Sequence, residues 1–80
     1  PEKVFLIEFD KEVKPEMLRS LSFIKTAEPK ENLKWRITSS HNADIRPQLS
    51  RFAQQNNLLI LSLSMEEVKL EEVFHQLTNR

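Results

Sequence analysis

Glycine and cysteine are both absent from this 80-residue sequence. Loops that cradle phosphate groups need backbone with positive φ that comes close to the ligand, and glycine supplies both properties. The sequence therefore contains neither a P-loop nor a dinucleotide-binding glycine fingerprint. Without cysteine it forms no disulfide and no thiolate metal site, which is the usage expected in a reducing compartment.

Long apolar runs and an excess of one charge are also missing. The longest aliphatic run is Leu58-Leu-Ile-Leu61, whereas a helix across a bilayer needs roughly 18 apolar residues. We therefore expect a soluble chain without direct membrane insertion. Twelve basic and 12 acidic residues are scattered along the sequence. Nucleic-acid binders usually carry a net positive surface, so we expect no nucleic-acid partner.

The chain length indicates a single domain over 1–80. Because the sequence begins at Pro1 without an initiator methionine, we interpret it as a fragment of a longer protein. Apolar periodicity predicts strands at 4–9, 23–28, 33–38 and 58–64. One short helix is expected to begin at Pro15, and a longer one follows Asp44.

The first predicted strand has apolar residues on both faces. Phe5, Ile7 and Phe9 lie on one face, with Val4 and Leu6 on the other. This pattern is typical of a central strand that is covered on both sides. In the other strands the alternation predicts one shared face for Leu33, Trp35 and Ile37, and a common direction for Leu59, Leu61 and Leu63.

The helix boundaries follow from capping residues. Asp44 is the expected N-cap of the second helix, Pro47 falls in its first turn, and Asn56-Asn57 ends it in place of the usual glycine. The predicted buried sides of the two helices are Met17, Leu18 and Leu21, and then Ile45, Leu49, Phe52 and Ala53.

The resulting order is β-α-β-β-α-β followed by one more helix. Two β-α-β halves with right-handed crossovers predict an α+β, ferredoxin-like sandwich, an antiparallel sheet with both helices on one face. The additional C-terminal helix carries Leu70, Val73, Phe74 and Leu77 at i, i+3, i+4 and i+7. This apolar stripe must pack against the open sheet face or against another domain or subunit, and we predict it as the main interface.

Four residue patterns could suggest a metal, catalytic or nucleic-acid site, but each has a simpler structural explanation. Glu72 and His75 have E-x-x-H spacing, but a di-metal site needs two such motifs. Adjacency of His41 to serines does not build a nucleophilic site. Glu66-Glu67 with Glu71-Glu72 lacks the sharp turn of a calcium loop. Phe5, Phe9 and Trp35 suit RNA stacking only if they lie on the open face, and we expect them beneath the helices. No catalytic, metal or cofactor-binding residue is predicted.

The closing Leu70-Glu-Glu-Val-Phe-His-Gln-Leu-Thr-Asn-Arg80 resembles the C-terminal segment of ATP-binding subunits of ABC-2-type exporters. The similarity extends through Ala43-Asp-Ile-Arg-Pro-Gln-Leu-Ser-Arg-Phe-Ala53 and Asn56-Asn-Leu-Leu-Ile-Leu-Ser-Leu63, and more loosely through Val4-Phe-Leu-Ile-Glu-Phe-Asp10. Gliding-motility-associated members of the family are the most similar. Lys69 departs from the family, which often has Ser or Thr there as the helix cap. Ser64 with Glu67 is an alternative capping box.

This resemblance implies a non-catalytic accessory domain appended to a nucleotide-binding domain. The parent subunit would bind ATP and Mg²⁺, and none of its ATP-binding residues lie in these 80 positions. The implied partners are that nucleotide-binding domain, the transporter membrane subunit and a second copy in a homodimer. The implied location is cytoplasmic, at the inner face of the membrane. Two alternatives stay open: a small-ligand-sensing ferredoxin-like module and an RNA-binding domain.

Overall fold

The computed structural model of the chain describes residues 2–67. They form a small α+β unit with four strands, two α-helices and a short 3₁₀ turn. The elements run in the order β1 (Lys3–Phe9), α1 (Pro15–Arg19), β2 (Ile24–Pro29), β3 (Lys34–Ser39), the 3₁₀ turn (Ser40–Asn42), α2 (Arg46–Gln55) and β4 (Ile60–Glu67). The predicted order of strands and helices is confirmed for this part of the chain. The predicted C-terminal helix lies outside the described residues.

The four strands form one antiparallel sheet with the order β2-β3-β1-β4. As predicted, β1 is central, with β3 on one side and β4 on the other. Phe5 stands opposite Ile37 of β3 and Met65 of β4, so these side chains share one face of the sheet. Strands β2 and β4 lie at the two edges.

The core lies between that face of the sheet and the two helices. The three β1 side chains predicted to point inward, Phe5, Ile7 and Phe9, are at most 1% exposed. Both helices contribute to the same cluster through Leu18 of α1 and through Leu49, Phe52 and Ala53 of α2. The helices therefore pack on one face of the sheet, as predicted.

A β-bulge separates the two halves of the β1–β4 ladder. Glu8 pairs with Ser62, but Phe9 pairs with Ile60, so Leu61 is an extra residue without a partner on β1. The prediction that Leu59, Leu61 and Leu63 point one way is therefore wrong, since Leu63 packs against the core and the other two do not. Leu59 is 66% exposed and Leu61 is 58% exposed, while Ile60 packs against the core.

Helix α2 begins one residue later than predicted. Ile45, which is fully buried, occupies the N-cap position, and no side chain caps the helix there. Asp44 still accepts a hydrogen bond from the backbone N–H of Arg46, at 3.2 Å. The prediction of Asp44 as the N-cap is therefore wrong in position, because burial of Ile45 decides where the chain turns into the helix.

At its C-terminal end, α2 closes with a left-handed residue. Asn57 has φ 57°, the Leu58 N–H donates to the Ala53 carbonyl at 2.8 Å, and the Asn57 N–H donates to the Gln54 carbonyl at 3.4 Å. These two bonds form a Schellman motif with asparagine in the place usually taken by glycine. The predicted role of Asn56-Asn57 in ending the helix is confirmed.

The turn before β3 also uses left-handed backbone without glycine. Asn32 and Leu33 have φ values of 58° and 64°. Asparagine tolerates this conformation, whereas leucine pays about 1–2 kcal/mol for it. Leu33 is half-buried in this turn, and the strand starts at Lys34. The predicted shared face of Trp35 and Ile37 is confirmed, and both are buried, but Leu33 belongs to the turn.

Candidate interaction surfaces

The predicted interface residues Leu70, Val73, Phe74 and Leu77 lie outside the described residues. So do Glu71, Glu72 and His75. The surfaces that the described part of the chain offers are the face of the sheet opposite the helices and the two sheet edges. We call the first of these the second face.

The second face has an apolar centre and a polar border. Val4 of β1 is 1% exposed, and its cross-strand neighbour Thr38 is 6% exposed, while Leu6 is half-buried. The surrounding positions on this face are polar: Glu8, Lys34, Arg36, Thr26, Glu28, Ser62, Ser64 and Glu66. The apolar surface that this face still exposes is therefore contributed mainly by Leu6, beside the buried Val4.

A shallow depression of about 410 Å³ lies at one end of the second face. Leu6, Ser62 and Ser64 line its floor, and Lys30 and Lys34 stand at its rim. The two lysines are exposed to solvent. Metabolite sites enclose most of their ligand and present several convergent polar groups, so this depression does not have the construction of such a site.

The outer side of β2 is occupied by charged residues and by a helix side chain. Arg19 of α1 donates two hydrogen bonds to the Ala27 carbonyl, from Nε at 3.3 Å and from Nη2 at 2.9 Å. Pro29 is the last residue of the strand. The Lys25 side chain pairs with Glu2, which directly precedes β1, at 2.6 Å and therefore reaches across the sheet. Charged side chains and proline are the usual means by which proteins prevent an edge strand from pairing with another chain.

The outer side of β4 has a different character. Among the described residues, no strand pairs with it and no side chain donates to or accepts from its backbone. Leu59 and Leu61 are the large apolar side chains that this part of the chain exposes. Beside them, Ser50, Ala53 and Gln54 of α2 line a shallow groove of about 260 Å³ that reaches Leu58.

Leu59 is held firmly in its exposed position. Its backbone N–H donates to Asp10 Oδ1 at 2.8 Å, and its carbonyl accepts from the Asp10 N–H at 3.0 Å. The turn just before Leu59 is held by Lys11, whose Nζ donates to the Asn57 carbonyl at 2.9 Å. The approach to β4 is therefore anchored to the end of β1.

The serine and histidine of the 39–42 segment do not form a nucleophilic site. Ser39 is 2% exposed, and its hydroxyl has no hydrogen-bond partner among the described residues. Ser40 Oγ instead donates to the Ser22 carbonyl at 3.2 Å. His41 is exposed with φ 58°, and the structure gives it no hydrogen bond to either serine. The surface-loop interpretation of His41 is confirmed.

Metal-ligating and base-stacking arrangements are not assembled by residues 2–67. Within this range, no three acidic or histidine side chains lie together as an ion would require. The aromatic side chains Phe5, Phe9 and Trp35 are at most 5% exposed on the face covered by the helices. They are therefore inaccessible to a base, as predicted.

The clearest electrostatic pair of the described residues links Asp44 to Arg46. The guanidinium donates to both carboxylate oxygens, at 2.9 and 2.7 Å. This bidentate contact, with the backbone bond from Arg46, lowers the pKa of Asp44 from 3.8 to about 2. The pair is exposed and links two residues at the start of α2. It therefore stabilises the beginning of this helix and does not form a reactive centre.

Comparison with known proteins returned no match to a family model, to a curated protein or to a solved structure. None of the helices formed by residues 2–67 has both the length and the apolar character needed to cross a membrane. The candidate surfaces therefore have to be interpreted from their own chemistry. Leu59 and Leu61 were not predicted as surface residues, although the uncharged run around them is visible in the sequence.

Proposed function

We propose that this chain is a non-catalytic accessory domain of the ATP-binding subunit of an ABC-2-type exporter. The observation that supports this most is the location of the family resemblance in the fold. The segments 43–53 and 56–63 make one continuous unit of helix α2, its terminal turn and the first half of β4. Leu49, Phe52 and Ala53 supply its core contacts, so the resemblance includes positions that hold this half of the domain together.

We also propose that the domain has the ferredoxin-like fold. Each β-α-β unit joins two parallel strands that are separated by one antiparallel strand: β3 lies between β1 and β2, and β1 lies between β3 and β4. Both helices pack on the same face. This split β-α-β arrangement supports the fold that the element order predicts.

In this proposal, the parent subunit binds and hydrolyses ATP with Mg²⁺, and the accessory domain braces, dimerises or regulates it. The contact residues are Leu70, Val73, Phe74 and Leu77, whose spacing predicts one apolar helical stripe. Their partner is the second face around Val4 and Leu6, the nucleotide-binding domain or the transporter membrane subunit. The proposed location is the cytoplasmic side of the membrane.

The most direct test is to determine the coding sequence immediately upstream of Pro1. The proposal expects a nucleotide-binding domain with a P-loop in the same reading frame. The 80-residue chain alone should hydrolyse no ATP, whereas the longer subunit should. An independent start codon at Pro1, or ATP hydrolysis by the short chain, would contradict the proposal.

A second test concerns the predicted interface. Phe74→Ala should destabilise the chain, or weaken its association with the parent subunit, by ~3–5 kcal/mol if the ring is fully buried in the contact. Gln76→Ala is the matched control, since it lies in the same segment but outside the apolar stripe. Changes well below about 1 kcal/mol in both assays, the usual range for surface substitutions, would remove Phe74 from the interface.

A further inference from the structure

We infer that the outer edge of β4 is a self-association surface, on which β4 of a second copy of this chain pairs antiparallel about a two-fold axis. We call this surface, Leu59 together with the outer side of Ile60–Glu67, the β4 edge. The inference goes beyond the accessory role proposed above and does not depend on it.

The first argument is the uncharged run that makes up most of the β4 edge. The eight residues from Leu58 to Met65 contain no acidic or basic side chain, no proline and no glycine. A long uncharged edge strand with free backbone groups is a template for another strand, and native proteins usually block it. The residues of α2 that border it, Ser50, Ala53 and Gln54, are uncharged as well.

The second argument is that the backbone of the segment carrying the exposed leucines is fixed by hydrogen bonds. Reciprocal hydrogen bonds between Leu59 and Asp10 hold the approach to the strand, and the bulge turns Leu61 out of the β1 ladder. Leu61, on this edge strand, and Leu59, directly before it, are thus 58% and 66% exposed. Burial of both against a partner would remove apolar surface from water without rearranging the domain.

The third argument selects a second copy as the partner. The chain has zero formal net charge, so two copies do not repel each other at long range. A two-fold axis at Leu61 keeps the antiparallel pairing inside the uncharged run and places the two Leu61 residues opposite each other on one face of the sheet. In this register Glu66 lies opposite the partner's asparagine turn instead of its glutamate, so no like charges meet there.

The fourth argument explains why association stops at two chains. Head-to-tail addition of β4 to β2 of another copy would generate an open filament. Arg19 occupies the Ala27 carbonyl on the β2 edge, and Pro29 removes a donor at the end of that strand. Within residues 2–67 this leaves the two β4 edges to pair with each other, so the pairing is isologous and closed.

The test is sedimentation equilibrium of the 80-residue chain over a concentration series, with Leu61→Glu, Leu61→Lys and Thr26→Glu variants. The wild type should reach twice the mass of one 9.5 kDa chain. Each Leu61 variant should raise the dimer dissociation constant at least about tenfold. Thr26→Glu places the same charge on the exposed β2 edge and should leave the dissociation constant unchanged.

Mixing Leu61→Glu with Leu61→Lys adds a test of partner identity. Opposite charges at the two-fold should restore a heterodimer with a dissociation constant at least about tenfold lower than that of either variant alone. Circular dichroism of each variant checks that the fold is retained, since position 61 is largely exposed. A wild-type chain that stays monomeric at every concentration would overturn the inference. Its β4 edge would then bind another protein or another part of this chain. A dimer insensitive to Leu61 substitution would also overturn the inference.

Discussion

Strands β2 and β4 lie at opposite edges of one sheet, and their outer sides differ in charge and in backbone pairing. The β2 edge has a terminal proline and an arginine bound to the Ala27 carbonyl. The β4 edge carries an uncharged run with two exposed leucines. Protection against unwanted pairing is therefore not a general property of this sheet but is built into one edge by specific residues.

The two edges also differ in how the chain enters them. Strand β2 follows the short helix α1, whose Arg19 reaches back across the strand. Strand β4 follows the Schellman turn at Asn57 and begins with a bulge opposite Phe9. The bulge keeps Ile60 in the core while it turns Leu61 outward. The same local irregularity thus completes the core and creates the exposed edge.

The largest expected effect comes from Phe9, which holds β4 to the core at the bulge. Its ring is fully buried and meets Phe52 edge-to-face, with ring centroids 6.2 Å apart. Phe9→Ala should lower the free energy of unfolding by about 3–5 kcal/mol, measured by urea denaturation. Leu61→Ala, on the exposed side of the same bulge, should change it by no more than about 0.5 kcal/mol. Equal effects would contradict the assignment of inner and outer sides.

Removing the protection of β2 should make the two edges more alike. Arg19→Ala deletes both hydrogen bonds to Ala27 and should cost about 1 kcal/mol of unfolding free energy. It should also produce species larger than a dimer in sedimentation velocity, because β2 then becomes free to pair. Arg51→Ala, another exposed arginine, is the control and should do neither. If Arg19→Ala leaves stability and assembly unchanged, the side chain does not protect the edge.

The turn that leads into β4 gives a smaller effect. Asn57→Ala places a β-carbon without polar compensation in the left-handed region and should cost about 1 kcal/mol. Asn57→Gly removes that steric cost and should match or slightly exceed wild-type stability in the same thermal or urea unfolding experiment. If Asn57→Ala is as stable as wild type, the left-handed backbone at this position does not limit the stability of the Schellman turn.

The smallest effect is expected at the Asp44–Arg46 pair, away from both edges. The pKa of Asp44 in the folded chain is about 2, below its ordinary 3.8, so its carboxylate stabilises the fold above about pH 3.8. That contribution is lost as the pH falls through about 2. Asp44→Asn should therefore be slightly less stable than wild type at pH 6 and equal to it at pH 2, in urea unfolding at both values. A difference that persists at pH 2 would assign the effect to something other than charge.

Regular periodicity made most of the described fold predictable. Alternating apolar residues located the central strand through Phe5, Ile7 and Phe9, and the 3.6-residue spacing located α2 through Leu49 and Phe52. These patterns work because one buried face imposes one period on the sequence.

The errors occurred where tertiary packing interrupts the period. Leu59 and Leu61 continue the alternation of β4, but the bulge at Phe9 shifts the register, and a single sequence does not mark a bulge in a leucine-rich strand. Asp44 has the chemistry of an N-cap, yet the burial of Ile45 moves the helix start. Leu33 was placed in a strand because its left-handed turn conformation is unusual for leucine. The β4 edge was hidden by the first of these errors.

Amide hydrogen exchange as a function of protein concentration tests the central claim most directly, because it monitors the two edges in the same sample. We predict that amides of residues 60–66 gain protection as the concentration rises and lose it in Leu61→Glu, while those of β2 exchange at a constant rate. Exchange of the β4 amides that is independent of concentration, or equal gains at both edges, would contradict the account.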